Sequence, residues 1–342
     1  MVNNMQYNNF ININIDNLFH NINYIKSKYN YSYYILDVSN NAFNHGMYII
    51  NFLADKIDYL YTNNYNDCAL IRKYNKVIPT IYSGIINENN IFDLIINNTI
   101  ILIRDKKTLE NIITLNIKDN LNIILNIDVN NYNGINSKHD ILDIIDLLKD
   151  NKYINILGLK GKINEDEYDN FKYIISPLKD LELMLFNDEE DKNKIKISNA
   201  LKLNYSVYGI NNVKKSLFKK EEVNLKQIFT LNSKVIRIIK NIKNKKETYT
   251  GVIPFGYLNG ISEDITKVYI NNKLYNIKKI NDEYSLIEID NTVNIEDKVE
   301  ITSYNNPLEF YYPINTLLYF NILSTNLPII YKEYILEKTF NY

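Results

Sequence analysis

The sequence of 342 residues contains no tryptophan, one cysteine, three histidines and three arginines. Because Cys68 is the only thiol, a disulfide framework and a cysteine-based metal site are both excluded. The histidines are scattered along the chain, so no zinc centre is expected. Any site that needs a bidentate guanidinium has only Arg72, Arg104 and Arg237 to supply it.

The sequence also lacks an excess of charge of one sign and lacks long hydrophobic runs. Lysine and arginine total 39 against 40 acidic residues, and no basic block stands out, so neither nucleic acid nor an anionic membrane is an expected partner. No apolar run reaches the ~18 residues that span a bilayer, and the N-terminus does not resemble a signal peptide. We therefore expect a cytoplasmic protein that contacts no membrane.

Short apolar runs alternate with amphipathic segments through the first 215 residues. Eight runs are strand-like, namely 33–38, 57–62, 76–82, 99–104, 122–128, 155–160, 181–186 and 204–208. Helical patterns lie between them, as in 138–149, where apolar residues recur at i, i+3, i+4 and i+7. Continuous apolar strands favour a parallel sheet covered by helices. Eight such units predict a TIM-type β/α barrel with functional groups at the carboxyl ends of its strands; an open doubly wound sheet is the alternative.

The pattern changes after about residue 215. The lysine-rich segment 214–226 is predicted to be a linker or an exposed strand. From residue 229 the helical period disappears, and 267–280 and 284–302 are predicted hairpins. The predicted domains are therefore a barrel over 12–215 and an all-β domain over 225–342, with 1–11 as a candidate addition to the second.

Four fragments carry a resemblance to a known family, namely INIDNLFHNINYIK (13–26), NNAFNHG (40–46), VYG (207–209) and VIPFGYLNG (252–260). The second is similar to Ala-Asn-Ala-Tyr-Gly-His-Gly, and the fourth to Ile-Pro-Ile-Gly-Tyr-Ala-Asp-Gly. In this order they resemble the alanine racemase family. The resemblance implies a β/α barrel that binds pyridoxal phosphate and a C-terminal β-domain, although a shared fold does not by itself establish activity.

Two catalytic bases are implied by that resemblance. A lysine would form the Schiff base with the cofactor and move the Cα proton on one face, and a tyrosine would work from the other face. Ser39 stands at the lysine position, and a hydroxyl cannot form a stable imine. No lysine occurs between Lys28 and Lys56, so a shifted register does not restore the amine. Tyr257 stands at the tyrosine position and is retained.

Positions that would hold the cofactor are mostly substituted. Phe43 replaces a phosphate-binding tyrosine and keeps only the ring, so packing is its favoured role. In the pair Asn187–Asp188, Asp188 replaces a phosphate-binding serine, and its carboxylate would repel a phosphate; the alternative is an acid that satisfies free N–H groups at a helix start. Lys202 replaces the arginine beside the pyridine nitrogen, or it is a solvated lysine before a strand.

The remaining family-equivalent positions are mixed. Lys162 lies roughly where a histidine packs over the cofactor, and Thr325 replaces a second phosphate-side tyrosine. Tyr208 is the tyrosine of the Leu-Tyr-Gly stretch. His45 is retained, either as a site residue or as a polar residue that organises its turn. The family's Met-Asp-Gln segment, expected around 281–286, is not recognisable, so the register there stays open.

Turns, strand ends and glycines that define the fold survive, whereas the groups that would contact the cofactor are lost. This contrast favours a degenerate homologue that holds no pyridoxal phosphate and no metal, and that acts in binding or regulation. If the resemblance holds, a head-to-tail homodimer is implied, in which the barrel mouth lies near the partner's C-terminal domain.

Two enzyme hypotheses stay open. The first is an active pyridoxal-phosphate-dependent alanine racemase that makes D-alanine for peptidoglycan, with Lys160, Lys162 or Lys202 as a relocated Schiff-base lysine. The second is a cofactor-independent enzyme that uses Tyr257 and the carboxylates of the barrel mouth, although no spacing argues specifically for it.

Overall fold

A computed structural model of the chain describes residues 8–130, 133–162, 167–179, 183–189, 197–209, 224–243, 245–261, 263, 265–302 and 327–332. The chain divides into two compact units. We call them the barrel unit, formed by Lys26–Ala42 and Met47–Asn204, and the β unit, formed by Met1–Ile25, Phe43–Gly46 and Tyr205–Tyr342.

The barrel unit contains eight parallel strands that close on themselves. In chain order they are β2 (Tyr33–Asp37), β3 (Tyr59–Thr62), β4 (Thr80–Tyr82), β5 (Thr99–Ile103), β6 (Leu121–Asp128), β7 (Ile154–Lys162), β8 (Met184–Asp188) and β9 (Ala200–Leu203). The last strand pairs with the first, Tyr33 opposite Ala200. The predicted β/α barrel is confirmed, and the open doubly wound sheet is wrong.

In the described part of the chain, helices follow five of the barrel strands, and three of these helices begin at a capping side chain. The five helices are α3 (Tyr65–Tyr74), α4 (Ile91–Ile96), α5 (Lys106–Thr114), α6 (Lys138–Leu148) and α7 (Tyr168–Ile175). The side chains of Asn64, Asp105 and Ser137 accept hydrogen bonds from backbone N–H groups in the first turns of α3, α5 and α6. Of the predicted apolar stripe on α6, Ile141 and Ile144 are fully buried.

Apolar residues on successive positions of a barrel strand build two different cores, because side chains alternate between the faces of a strand. On β5, Ile100 and Leu102 pack inside the barrel, whereas Ile101 and Ile103 pack against the helices. Both faces are buried, which explains why the barrel strands are continuously apolar in the sequence.

The predicted eighth strand at 204–208 is wrong. The last barrel strand is Ala200–Leu203, and Tyr205–Tyr208 form a 3-10 turn that ends at Gly209, whose φ is +83°. A lysine at the third position, Lys202, made the true strand look unlike a barrel strand. That lysine is only 5% exposed, for reasons given in the next section.

Within the described residues, the β unit contains a sheet of nine strands that is mostly antiparallel. Its strands are β1 (Phe10–Asn14), β10 (Phe229–Lys234), β11 (Arg237–Lys243), β12 (Lys246–Ile253), β13 (Lys267–Ile270), β14 (Lys273–Ile280), β15 (Ser285–Ile289), β16 (Lys298–Thr302) and β17 (Ile329–Lys332), in the spatial order β11-β12-β15-β14-β13-β16-β10-β1-β17. Helix α1 (Ile15–Lys28) follows β1 directly and buries Leu18 and Ile22. Strand β1 pairs antiparallel with β10 and parallel with β17.

One predicted hairpin is confirmed and one is wrong. β13 and β14 pair across Asn271 and Asn272, which both have positive φ (48° and 62°), as a two-residue hairpin turn requires. β15 and β16 do not pair with each other, because β15 lies between β12 and β14, and β16 lies between β10 and β13. Alternation marks a strand but does not identify its partner. Most of the predicted linker 214–226 lies outside the described residues.

Cys68 lies on α3 with 2% of its surface exposed. Burial, and then the carboxylate of Asp67, raise the pKa of the Cys68 thiol to about 12. Since the thiolate is the reactive form, we expect native protein not to react with a disulfide reagent at pH 8, and to release one equivalent of chromophore after unfolding in urea. Rapid reaction of the native protein would contradict this burial.

Candidate functional site

Four charged residues meet at the carboxyl ends of adjacent barrel strands. They are Asp37 on β2, Lys160 on β7, Asp188 on β8 and Lys202 on β9, and we call them the ion cluster. The two ammonium groups and two carboxylates give the ion cluster a net charge of zero. Functional groups of β/α barrels lie at this end of the strands, so the ion cluster occupies the position where a barrel site is expected.

Lys202 is the centre of the ion cluster. Its Nζ lies 2.8 Å from Asp37 Oδ2, 2.9 Å from Asp188 Oδ1 and 2.8 Å from Asn204 Oδ1. An ammonium group has three N–H donors, and here each has an oxygen within hydrogen-bond distance. The prediction of a solvated lysine before a strand is therefore wrong, because Lys202 is buried and fully paired.

Lys160 binds the other oxygen of the same carboxylate. Its Nζ lies 3.0 Å from Asp188 Oδ2. The ring of Tyr61, on β3, lies beneath both ammonium groups, with its centroid 4.4 Å from Lys202 Nζ and 5.5 Å from Lys160 Nζ. A ring face attracts cations at such distances, so Tyr61 helps to hold both lysines in place.

The charges of the ion cluster stabilise one another. Burial alone would lower the pKa of Lys202, but the carboxylates of Asp37 and Asp188 outweigh it, so the pKa of Lys202 lies above its ordinary value. Burial is likewise outweighed at Lys160, whose pKa is raised mainly by Asp188. Burial would raise the pKa of Asp188, yet Lys202 and Lys160 lower it to about 2. At neutral pH all three groups are charged.

Asp188 is the last residue of β8, and its partners are the two lysines. Residues 190–196, where one sequence-based interpretation placed the first turn of a helix, lie outside the described residues. Asn187, the neighbour of Asp188, is fully buried and accepts a hydrogen bond of 2.9 Å from Ser198 Oγ. The following acid, Glu189, accepts a bond from the backbone N–H of Asn204. Asp188 and Glu189 therefore connect β8 to Lys202 and Asn204, in and directly after β9.

Ser39 is joined to the ion cluster through Asp37. Its hydroxyl donates to Asp37 Oδ1 at 2.6 Å, and its backbone N–H donates to the same oxygen at 3.0 Å. The hydroxyl also accepts a bond from the backbone N–H of Asn63 at 3.1 Å. With 3% of its surface exposed, Ser39 is a buried connector between β2, β3 and the ion cluster.

The segment after Ser39 forms a left-handed turn, α2 (Ser39–Phe43). All residues from Asn40 to Asn44 have φ between 51° and 63°, a conformation that asparagine tolerates better than most residues. The buried carboxylate of Asp67 accepts the backbone N–H of Asn41 at 3.2 Å. Backbone strain of this kind persists only where surrounding contacts fix the conformation, and the hydrogen bond to Asp67 is one such contact.

Phe43, His45 and Tyr208 come together in the β unit. The His45 ring stacks on Tyr208 with centroids 4.6 Å apart, and the Phe43 ring meets Tyr208 at 5.3 Å. His45 and Tyr208 are completely buried. The favoured packing role of Phe43 fits these contacts, and His45 is held as part of the same aromatic group.

Tyr257 lies elsewhere in the β unit, in a 3-10 turn at Tyr257–Asn259. Its backbone N–H donates to the carbonyl of Asn281, which ties this turn to the segment 281–286. The side chain is 40% exposed, and its hydroxyl donates to Glu263 Oε1 at 3.0 Å. This hydrogen bond, followed by burial and the charge of Glu263, raises the pKa of Tyr257. A base needs the opposite shift.

The remaining predicted positions take no part in the ion cluster. Lys162 ends β7 as an exposed residue, and Thr325 lies outside the described residues. Within the described part of the chain, no three histidine, cysteine, aspartate or glutamate side chains are grouped so that they could hold a metal ion. No helix there is long and apolar enough to cross a membrane.

Sequence reasoning missed Asp37 and Tyr61, and it considered Lys160 only as a candidate Schiff-base lysine. A signal for Asp37 was present, because a carboxylate directly follows the apolar run YYIL. A charge at the end of a buried strand needs a partner. Lys160 on β7 and Lys202 on β9 lie on the two strands that flank β8, so a register of the barrel strands would have brought them close to Asp188.

We expect the acid stability of the protein to depend on Asp188. Its folded pKa of about 2 lies below the ordinary 3.8, so its contribution is present above pH 4 and is lost as the pH falls toward 2. Urea unfolding should show a stability gap between wild type and D188N at pH 6 that narrows steadily between pH 4 and pH 2. A gap that stays constant over this range would contradict the ion pairs.

Comparison with known proteins agrees with the geometry of the fold. The family profile described as "Alanine racemase, N-terminal domain" matches residues 13–161. The alanine racemase of Borreliella burgdorferi (strain ZS7) is 30% identical to this chain over 341 residues, which covers 87% of the chain and 90% of that protein.

Two solved structures are similar over nearly their whole length. An alanine racemase from E. faecalis superposes with a TM-score of 0.79 at 14% identity, covering 97% of this chain and 100% of that one. An alanine racemase from Clostridium difficile 630 gives 0.78 at 17% identity, covering 96% of each. At these identities the two structures show only the fold, whereas the relative that is 30% identical shows membership of the family. The chain belongs to the alanine racemase family.

Proposed function

We propose that this protein is a member of the alanine racemase family that binds no pyridoxal phosphate and acts as a non-catalytic binding or regulatory protein. The observation that carries the proposal is the ion cluster. By the family resemblance, Ser39, Asp188 and Lys202 stand at the anchor, the phosphate contact and the pyridine contact of the cofactor. In this chain these three positions are connected to one another through Asp37 and Lys202.

The residues present do not fit the cofactor. An imine needs a primary amine, and Ser39 has only a hydroxyl, already used as a donor to Asp37 and an acceptor from Asn63. A phosphate group beside Asp188 would meet a carboxylate that is ionised at neutral pH. We therefore derive no catalytic step through pyridoxal phosphate.

A relocated Schiff-base lysine has weak support. Imine formation needs a neutral amine, but Lys160 and Lys202 are ammonium groups whose pKa values are raised by the neighbouring carboxylates. Catalytic lysines show the opposite shift, a pKa lowered by burial or by a second cation. Lys162 is exposed at the end of β7, outside the buried ion cluster.

The second base is also poorly suited to catalysis. A tyrosine that abstracts a proton must reach its phenolate form, and the bond to Glu263 raises the pKa of Tyr257. The serine at position 39 and the raised pKa values of Lys160, Lys202 and Tyr257 favour loss of racemisation over a rearranged active site. The raised pKa of Tyr257 also gives no support to a cofactor-independent enzyme built on this residue.

The second candidate function is an active alanine racemase that makes D-alanine for peptidoglycan. The observation in its favour is the 30% identity to a protein named alanine racemase over 87% of this chain. We propose a cytoplasmic homodimer for either function, with head-to-tail subunits, because the resemblance places Tyr257 next to the partner's barrel.

The cofactor spectrum tests the proposal. Purified protein, incubated with excess pyridoxal phosphate and desalted, should show no absorbance band of a bound imine and no change on borohydride treatment. The same sample should not exchange the Cα hydrogen of L-alanine in heavy water. A borohydride-sensitive band together with Cα exchange would establish the racemase instead, and the modified lysine could be identified by mass spectrometry.

A further inference from the structure

We propose that Lys160 and Lys202 form a buried oxyanion site, occupied in the native protein by the carboxylate of Asp188 as an internal ligand. Without that carboxylate, the site takes a small carboxylate or phosphate. The inference rests on the proposed function in one respect, namely that no cofactor fills the carboxyl ends of the strands that carry these lysines.

The geometry of Asp188 is that of a bound anion. Its strand β8 lies between β7 and β9, so its carboxylate is flanked by one lysine from each side. Lys160 Nζ is 3.0 Å from Oδ2, and Lys202 Nζ is 2.9 Å from Oδ1. Each oxygen therefore has its own cation, an arrangement that charge-assisted hydrogen bonds favour.

Both lysines retain contacts other than the carboxylate of Asp188. Lys202 is also bound by Asp37 and Asn204, both at 2.8 Å. The ring of Tyr61 lies under both ammonium groups and is itself 6% exposed. The site is thus built by residues that remain when the carboxylate of Asp188 is removed.

Charge and access both favour an external anion at that point. Without Asp188, two ammonium groups face one carboxylate, Asp37, so the site carries one net positive charge. The side chain of Asp188 is 21% exposed, against 15% for Lys160 and 6% for Lys202. Solvent therefore reaches the ion cluster at the carboxylate that the external anion would replace.

The test is anion binding by D188A, measured by calorimetry and by the thermal unfolding midpoint in sodium acetate or sodium phosphate, against sodium chloride of equal ionic strength. We expect D188A to bind acetate or phosphate at least about tenfold more tightly than wild type, and its midpoint to rise with anion concentration. Acetate and phosphate as separate arms distinguish a carboxylate site from a phosphate site.

Two controls isolate the site. D143A also removes one carboxylate, from the partly exposed pair with Lys106, and should gain no anion binding. The double variant D188A/K160M removes one of the two cations and should lose the gain. Equal binding by D188A and by either control would overturn the proposal, since it would reflect net charge alone.

A second variant covers the case in which D188A folds poorly. D188S keeps a hydroxyl beside the lysines and should show the same anion preference; folding of D188A in acetate but not in chloride would be a stronger form of the expected result. Folded D188A or D188S without anion binding overturns this inference and leaves the proposed function intact. A cofactor band in wild type would overturn the proposed function and, with it, the premise that no cofactor fills these strand ends.

Discussion

Replacing Lys202 with methionine is expected to lower the free energy of unfolding by about 3–5 kcal/mol, the usual cost of removing one partner from a buried ion pair. Methionine fills much of the same space, so the loss is electrostatic rather than a cavity. Asp37 and Asp188 would be left side by side, with only Lys160 to balance them. Urea unfolding followed by circular dichroism at pH 7 measures the difference.

Two comparisons make this result specific to the ion cluster. K106M removes a lysine from the partly exposed pair with Asp143, where solvent screens the charges, and it should change the unfolding midpoint little. Adding D37N to K202M removes the carboxylate that has lost its partner and should recover part of the stability. If K202M were as stable as K106M, Lys202 would not be the centre of a buried cluster.

The barrel could be predicted because its physical signal is repeated eight times. Most strands bury both faces, so runs such as 100–103 and 123–125 are apolar without a break, and helices with a side-chain cap follow three of the strands. Errors in single boundaries do not alter such a count. The one misplaced strand was the one that carries Lys202, because the local sequence does not distinguish a buried, paired lysine from a solvated one.

The candidate site could be predicted only in part. The resemblance indicated Ser39, Asp188 and Lys202 one at a time, each as a substitution. The contacts that join these positions depend on the register of β2, β7, β8 and β9. This register brings charged atoms of residues far apart in the chain within 3.0 Å of one another. Asp37 and Tyr61 had no counterpart in the fragments that carried the resemblance, so only the fold identified them.

The left-handed turn after Ser39 illustrates a different limit. Asparagine at positions 40, 41 and 44 permits positive φ, but Ala42 and Phe43 adopt it as well, at 54° and 51°. Nothing in the local sequence predicts that for alanine and phenylalanine. The turn is held by distant contacts instead, including Asp67 to the backbone of Asn41.

Restoring the missing amine by S39K is expected to give no covalent pyridoxal phosphate at residue 39 and to destabilise the protein. The hydroxyl of Ser39 makes two buried hydrogen bonds, to Asp37 and from Asn63, and a lysine would lose both. Its ammonium would also add a third cation beside Lys202, which already has an oxygen for each donor. Together these changes should cost more than about 2 kcal/mol.

The measurement is peptide mass spectrometry after incubation with pyridoxal phosphate and borohydride reduction, with S39A as the matched control. Exposed lysines will be labelled in both variants, so only a pyridoxyl group on residue 39 counts. Its presence in S39K would mean that the serine alone prevents the cofactor from binding, and that the ion cluster adjusts to a new cation. We expect its absence, because Asp37 and Asp188 remain paired with the existing lysines, and a phosphate brought to Asp188 would still face a carboxylate.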